Sequence, residues 1–269
     1  MSSAQPTAPR KNRPTRRATV TAKETLSPHL VRITARCADL VSGELEPSEH
    51  TDAYVKIELT DSDGDTVLRT YTIRDWRPET GEVVLDFVVH GDEGLAGPWA
   101  VAVQVGDVFT FRGPGGGYAP DTNTPDVAHL LVGDLAALPA IEAALEQIPS
   151  GRLGQVVLAV DDTDDVRELA THLQVEWVVA DTLPEAHRRA ADHVRGWDQP
   201  EGAELEVFVH GEAAFVRELR RHLRVDRAVA KERQSISGYW KLDRVDEQWR
   251  KEKRDWAQPV DEAEAAVAG

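Results

Sequence analysis

Apolar and polar residues alternate with a period of two along most of the first half of this chain. That period predicts six short strands: Ala18–Lys23, Leu30–Arg36, Ala53–Leu59, Val67–Arg74, Glu82–His90 and Gly106–Arg112. Turn residues separate them. Ser27-Pro28-His29 joins the first two, and Asp61-Ser62-Asp63-Gly64-Asp65 reads as a hairpin turn whose aspartates bond their own backbone. Short strands punctuated in this way predict a small antiparallel barrel.

The period changes after Pro125. Apolar runs at His129–Val132, Val156–Val160, Val175–Val179 and Leu205–Val209 alternate with helical spacing over Leu138–Ile148, Pro184–Val194 and Phe215–Leu223. Strands that alternate with helices predict a doubly wound parallel sheet, and such sheets bind ligands beyond the carboxyl ends of their strands. Those ends carry Gly133-Asp134, Asp161-Asp162 and His210-Gly211-Glu212. The pattern divides the chain into a lead-in (1–15), a barrel (16–124), an α/β unit (125–242) and a charged C-terminal helix and tail (243–269).

The fourth strand carries Arg69-Thr70-Tyr71-Thr72-Ile73-Arg74. Two guanidiniums and a phenol ring on so short a strand suit a flat, anionic ligand. A guanidinium can grip a phosphate with two hydrogen bonds, and an aromatic ring can lie against a heterocycle. Between strands five and six, glycines lead into Pro98, which reads as a loop entering a short helix.

Composition narrows the classes. The net charge of −16 argues against nonspecific nucleic-acid binding and against docking on anionic membranes. No apolar run is long enough to span a bilayer, and the polar lead-in lacks the apolar core of a secretory signal. Cys37 is the single cysteine, so neither an intrachain disulfide nor a cysteine-cluster metal site can form within the chain; no metal ligands are assigned, and a cytoplasmic protein is expected.

A barrel followed by an α/β unit resembles the ferredoxin-reductase superfamily. Within it, the chain resembles the siderophore-interacting proteins, the FAD-dependent ferric-siderophore reductases. Four stretches carry the likeness, in order. Arg69-Thr70-Tyr71-Thr72-Ile73-Arg74 is similar to R-x-Y-T-x-R. Asp86-Phe87-Val88-Val89-His90-Gly91 is followed by Trp99-Ala100. Gly133-Asp134 with Ala137-Leu138-Pro139-Ala140-Ile141 resembles G-D-E-T-A-L-P-A-I. Ser237-Gly238-Tyr239-Trp240 resembles a terminal G-Y-W.

The resemblance implies FAD as cofactor, with Arg69, Tyr71, Thr72, Ile73 and Arg74 at the flavin and its phosphates. It places Asp86, Val88, His90 and Gly91 along the flavin path, and Ala96, Gly97 and Trp99 at the pyrophosphate loop. Asp134 would stand at the nicotinamide mouth. It implies an anionic ferric siderophore as substrate, met by Lys56, Lys241, Arg244, Tyr239 and Trp240, and reduction to Fe(II), which hard oxygen chelators hold less well.

NADH, NADPH or a ferredoxin would supply electrons to a monomer. Leu95 and Gly97 depart from the family loop H-G-x-x-G-P-A-S-x-W-A. Leu135 and Ala136 stand where the family has Glu and Thr, and the acidic run Asp161–Asp165 makes NADH at least as suitable as NADPH. Two other readings fit the same fold: a flavin reductase linked to ferredoxin or flavodoxin, and a non-catalytic siderophore-binding or iron-trafficking protein.

Overall fold

The computed structural model describes residues 14–90 and 94–244, together with Gln248, Trp249, Glu252 and Trp256. Six antiparallel strands close the first unit: β1 (Thr15–Ser27), β2 (Leu30–Arg36), β3 (Tyr54–Thr60), β4 (Thr66–Arg77), β5 (Glu82–Val88) and β6 (Val108–Gly115). Their order around the barrel is β1-β2-β5-β4-β3-β6. The alternation seen in sequence is the inside–outside alternation of the wall. On β3, Val55, Ile57 and Leu59 point inward while Lys56 and Glu58 face out. Ile33, Leu85, Phe87 and Phe111 complete a dry interior. At the β3–β4 turn, the Asp61 carboxylate accepts from the Asp63 and Asp65 amides at 3.0 and 2.9 Å, and Gly64 takes φ 85°.

Two short helices attach to the barrel, α1 (Ala38–Ser42) and α2 (Ala96–Ala102). The second unit is a parallel sheet of β7 (Val127–Asp134), β8 (Leu153–Val160), β9 (Gln174–Val179), β10 (Glu204–Glu212) and β11 (Gln234–Trp240), in the order β11-β10-β7-β8-β9. The chain order reverses between β7 and β10, which makes the gap above their carboxyl ends the topological switch point. All of β7 is buried, as expected for the central strand of a sheet covered on both faces. Helix α3 (Leu138–Gln147) packs Leu138 and Ile141 against Leu131 and Phe208 on one face. Helices α4 (Leu183–Gly196) and α5 (Ala213–Arg221) cover the other.

Two features depart from the sequence pattern. The Ser-Gly-Tyr-Trp stretch lies on a strand, β11, which has no apolar run to announce it. The connection from β8 to β9 carries only a short turn, Thr163–Asp165, so α3 covers its face without a second helix beside it.

The barrel and the sheet are joined by a shared core and by charge. Leu30 and Val88 of the barrel pack into the same apolar cluster as Leu131 and Leu138. Glu142 on α3 gathers Arg74 of β4 at 2.9 Å and Arg167 at 2.7 Å, with Arg32 of β2 at 3.7 Å. Arg74 also bonds Glu146 at 2.5 Å.

Candidate functional site

The docked units leave a cleft of about 1180 Å³. That exceeds the range of roughly 300–1,000 Å³ typical for a single small ligand, and it leaves room for a dinucleotide and part of a second molecule.

The barrel wall of the cleft is built from β3 and β4. Arg69, Thr70, Tyr71 and Thr72 line it, with Tyr54 and Lys56 from the adjacent strand. Register pairs Lys56 with Thr70 and Tyr54 with Thr72, which fixes these groups in two adjoining rows. The Tyr71 ring rests on Phe87 with centroids 4.2 Å apart, so the core holds its back while its other side meets the cleft. Val88, His90 and Asp86 line the cleft from β5 and the residues after it. Asp86 is buried under a two-pronged bond from Arg32, both arms 2.7 Å. That hydrogen bond, against the cost of burial, holds the guanidinium above its usual pKa.

The sheet wall is organised by Asp134, at the end of β7 and 2% exposed. Its carboxylate accepts from the Glu212 amide at 2.8 Å, the Trp240 indole N–H at 2.9 Å and the Ala136 amide at 3.0 Å; the His187 Nε2 lies 3.5 Å away. One side chain thereby ties the ends of β7, β10 and β11 together. Gly211 is required here. Its φ is +139°, and a Cβ would stand 2.6 Å from an Asp134 oxygen.

Tyr239 reaches across the cleft to hydrogen-bond Thr72 of the barrel. Burial, joined by the charges of Asp52 and Asp134, pushes its phenol far above the ordinary tyrosine pKa despite that bond. Trp240 and Tyr239 both line the cleft, Trp240 with its ring held by Asp134.

The structure brings together Arg69, Tyr71, Thr72, Asp86, Val88, His90, Asp134, Lys56, Tyr239 and Trp240 from the sequence reading. Most of the others lie away from the cleft lining. Ile73 is 2% exposed and belongs to the barrel core. Arg74 is turned away to α3, where Glu146 and Glu142 outweigh the desolvation that would lower its pKa and hold it raised.

Ala96 is buried in the barrel core, where Trp99 packs on Phe87 and Phe109 at 5.4 Å each, and Gly97 is buried close against the Val88 backbone. Lys241 and Arg244 follow Trp240 in sequence, yet both bond Glu252, at 2.7 and 3.0 Å, outside the cleft. Gly91 lies outside the described residues.

Residues unassigned from sequence also line the cleft: His29 from the β1–β2 turn, Arg224, and Ser235 and Ser237 of β11. The alternation of β11 polar groups was the one available signal. Trp249, from the charged C-terminal segment, is 2% exposed and lines the cleft as well.

Residues 127–243 match the family model for siderophore-interacting proteins, and residues 58–118 match that for the siderophore-interacting FAD-binding domain. The chain belongs to the siderophore-interacting protein family. Within that family it is 36% identical to an uncharacterized protein of Mycobacterium tuberculosis, over 92% of this chain and 96% of the relative. It is 32% identical to the ferric vibriobactin reductase ViuB of Vibrio cholerae, over 86% of this chain and 91% of the relative. The siderophore-interacting protein SipS of Aeromonas hydrophila superposes with a TM-score of 0.78 at 29% identity, over 90% of this chain and 98% of that one. The fold is ferredoxin-reductase-like.

The cleft's donor set fits the cofactor named by the family model. Arg69 and Lys56 supply positive charge, and the hydroxyls of Thr70 and Thr72 and the supported ring of Tyr71 flank them. A phosphate and a planar heterocycle each find a matching partner on that one wall.

Proposed function

We propose that this chain is an FAD-dependent reductase of ferric siderophores, acting as a cytoplasmic monomer to release iron as Fe(II). One observation carries the reading: a basic and aromatic barrel wall faces the switch point of a parallel sheet across a single cleft. A cofactor on the first wall and an electron donor entering over the second would share that space. The similarity to a ferric vibriobactin reductase supports the same assignment.

FAD, when bound, supplies the conversion of a two-electron donor into the single electrons that Fe(III) accepts. The protein's part is position and charge. Arg69 holds phosphate, Tyr71 supports the heterocycle, and Asp134 locks Trp240 as the opposite wall. Lys56 and Arg224 line the cleft with Arg69, among the acids Asp52, Asp86, Asp134 and Asp161, and would be the groups that meet the charge of an anionic chelate. At the donor end, Leu135, Ala136 and Asp161 line the cleft. Asp161 would repel a 2′-phosphate, so NADH is favoured over NADPH.

The test begins with the visible spectrum of the purified protein and the mass of its heat-released ligand. FAD is expected. Anaerobic titration with NADH, NADPH and reduced ferredoxin then identifies the donor, and a ferric catecholate with an Fe(II) trap reports iron release. A colourless protein that takes up no added FAD would overturn the assignment. FAD retained without turnover by any of the three donors would favour the siderophore-binding alternative.

A further inference from the structure

His29 lines the cleft from the turn between β1 and β2, with its side chain 32% exposed. Its Nδ1 lies 2.8 Å from an oxygen of Asp165, which belongs to the turn after β8 in the other unit. The Asp165 side chain is fully buried. Its second oxygen accepts from the Ser27 hydroxyl at 2.5 Å and from the His29 amide at 3.3 Å. A carboxylate that receives donors on both oxygens calls for a proton on Nδ1, which fixes the tautomer and leaves Nε2 as the nitrogen able to gain and lose a proton.

Among the described residues, Asp162 lies 4.0 Å from Nδ1 and the His90 ring stacks at 6.3 Å. His90 in turn lies 6.5 Å from Trp240. A buried acid thus orients a partly exposed imidazole in the wall of a cleft, an arrangement suited to proton transfer. Elsewhere among the described residues, arginines make the ion pairs that join β2 and β4 of the barrel to α3.

We infer that His29 is a proton donor to the chelator, with Asp165 as its positioning residue. The inference rests on the reductase reading above. The reductant is the nicotinamide donor acting through the cofactor. One electron converts Fe(III) to Fe(II). As an iron–oxygen bond then breaks, its electron pair stays on the chelator oxygen, and that oxygen takes the proton from His29 Nε2. The imidazole is left neutral, its Nδ1 proton still on Asp165, and it regains a proton at Nε2 from solvent through its exposed edge. Capture of the released oxygen as a hydroxyl prevents it from rebinding the metal.

The experiment compares two acceptors, a ferric tris-catecholate, which must be protonated to let go, and ferricyanide, which keeps its ligands. With NADH as donor, His29→Gln is expected to lower turnover of the catecholate by about 100-fold. The loss should exceed any loss with ferricyanide at least tenfold and fall on kcat rather than KM. Asp165→Asn should show the same selectivity, smaller in size. An independent readout is the ¹⁵N spectrum of the His29 ring in the protein without substrate. Nδ1 is expected to carry the proton in the wild type, and that preference should be lost in Asp165→Asn.

Equal losses on both acceptors would overturn the inference, since they would mark a role in the fold or at the cofactor. A neutral wild-type ring that carries its one proton on Nε2, with Nδ1 bare, would also overturn it. Wild-type protein inactive on both acceptors would instead remove the reductase reading on which it stands.

Discussion

At the scale of single residues, the site depends on side chains whose backs are held by the core. Arg69 stands beside Tyr71, and Tyr71 leans on Phe87 inside the barrel. Arg69→Ala is expected to weaken FAD retention by roughly 1.5–3 kcal/mol, the worth of a charge-assisted hydrogen bond to phosphate. That is about a 10- to 150-fold rise in the dissociation constant, read by fluorescence titration of the apoprotein. Unchanged affinity would move Arg69 out of the cofactor wall.

The residues that were legible from sequence are those whose neighbours along a strand also face the cleft. Tyr71 and Thr72 are named from the R-x-Y-T-x-R likeness, and both line the cleft although alternation along a strand sets neighbours on opposite faces. Lys241 and Arg244 do not line it. Nearness to Trp240 suggested a shared pocket, but Asp243 turns the chain with φ 59° and both cations meet Glu252. His29 was hidden for a different reason. Its partner Asp165 is 136 positions away, and only docking of the two units brings them together.

At the scale of elements, helix α3 is the clamp between the barrel and the sheet. Its apolar face packs on the sheet, and Glu142 reaches the arginines of β4 and β2 on the barrel side. Glu142 and Arg74 are each 14% exposed, so solvent screens their pairing far less than a surface pair. Glu142→Gln would leave Arg74 to Glu146 and strip Arg167 of its carboxylate. A loss of about 1.5–3 kcal/mol is expected in urea unfolding, the range for a hydrogen bond to a charged group. A variant as stable as the wild type would show that the apolar contacts alone hold the units together.

The same scale explains what the hydrophobic pattern revealed. Barrel strands have one wet face and one dry face, so their period is visible; β7, β8 and β10 are buried on both sides and read as apolar runs. β11 has neither signature. It lies at the edge of the sheet, and its residues Gln234 to Ser237 are only partly buried.

At the scale of the whole molecule, a surplus of acids must be reconciled with a specific fold. The chain has 47 acidic residues against 31 lysines and arginines, so neutralising one exposed acid relieves a little repulsion at neutral pH. Asp121 is an acid for which the opposite is expected. It sits in the segment joining β6 to β7. Its carboxylate accepts from the Thr124 and Asn123 amides at 2.9 and 3.0 Å and bonds Arg233 at 2.5 Å, pinning the connection to the segment before β11. The bonds to Thr124, joined by those to Arg233 and Asn123, outweigh the desolvation cost and hold the carboxyl well below the usual aspartate pKa.

A carboxyl depressed on folding contributes stability above its unfolded pKa of about 4 and loses it as pH falls toward the lower folded value. General repulsion acts over distances longer than the Debye length, about 8 Å at physiological salt, and is largely screened there, so the local bonds win. Asp121→Asn is therefore expected to melt below the wild type at pH 7. The gap should narrow steadily as the pH is taken from 5 to 3, because protonation then removes from the wild type what the substitution has already removed from the variant. A gap that stays constant over that interval would show that Asp121 acts by shape rather than by charge. A variant that melts above the wild type at pH 7 would show that relief of the overall negative charge outweighs the bonds that fasten the two units.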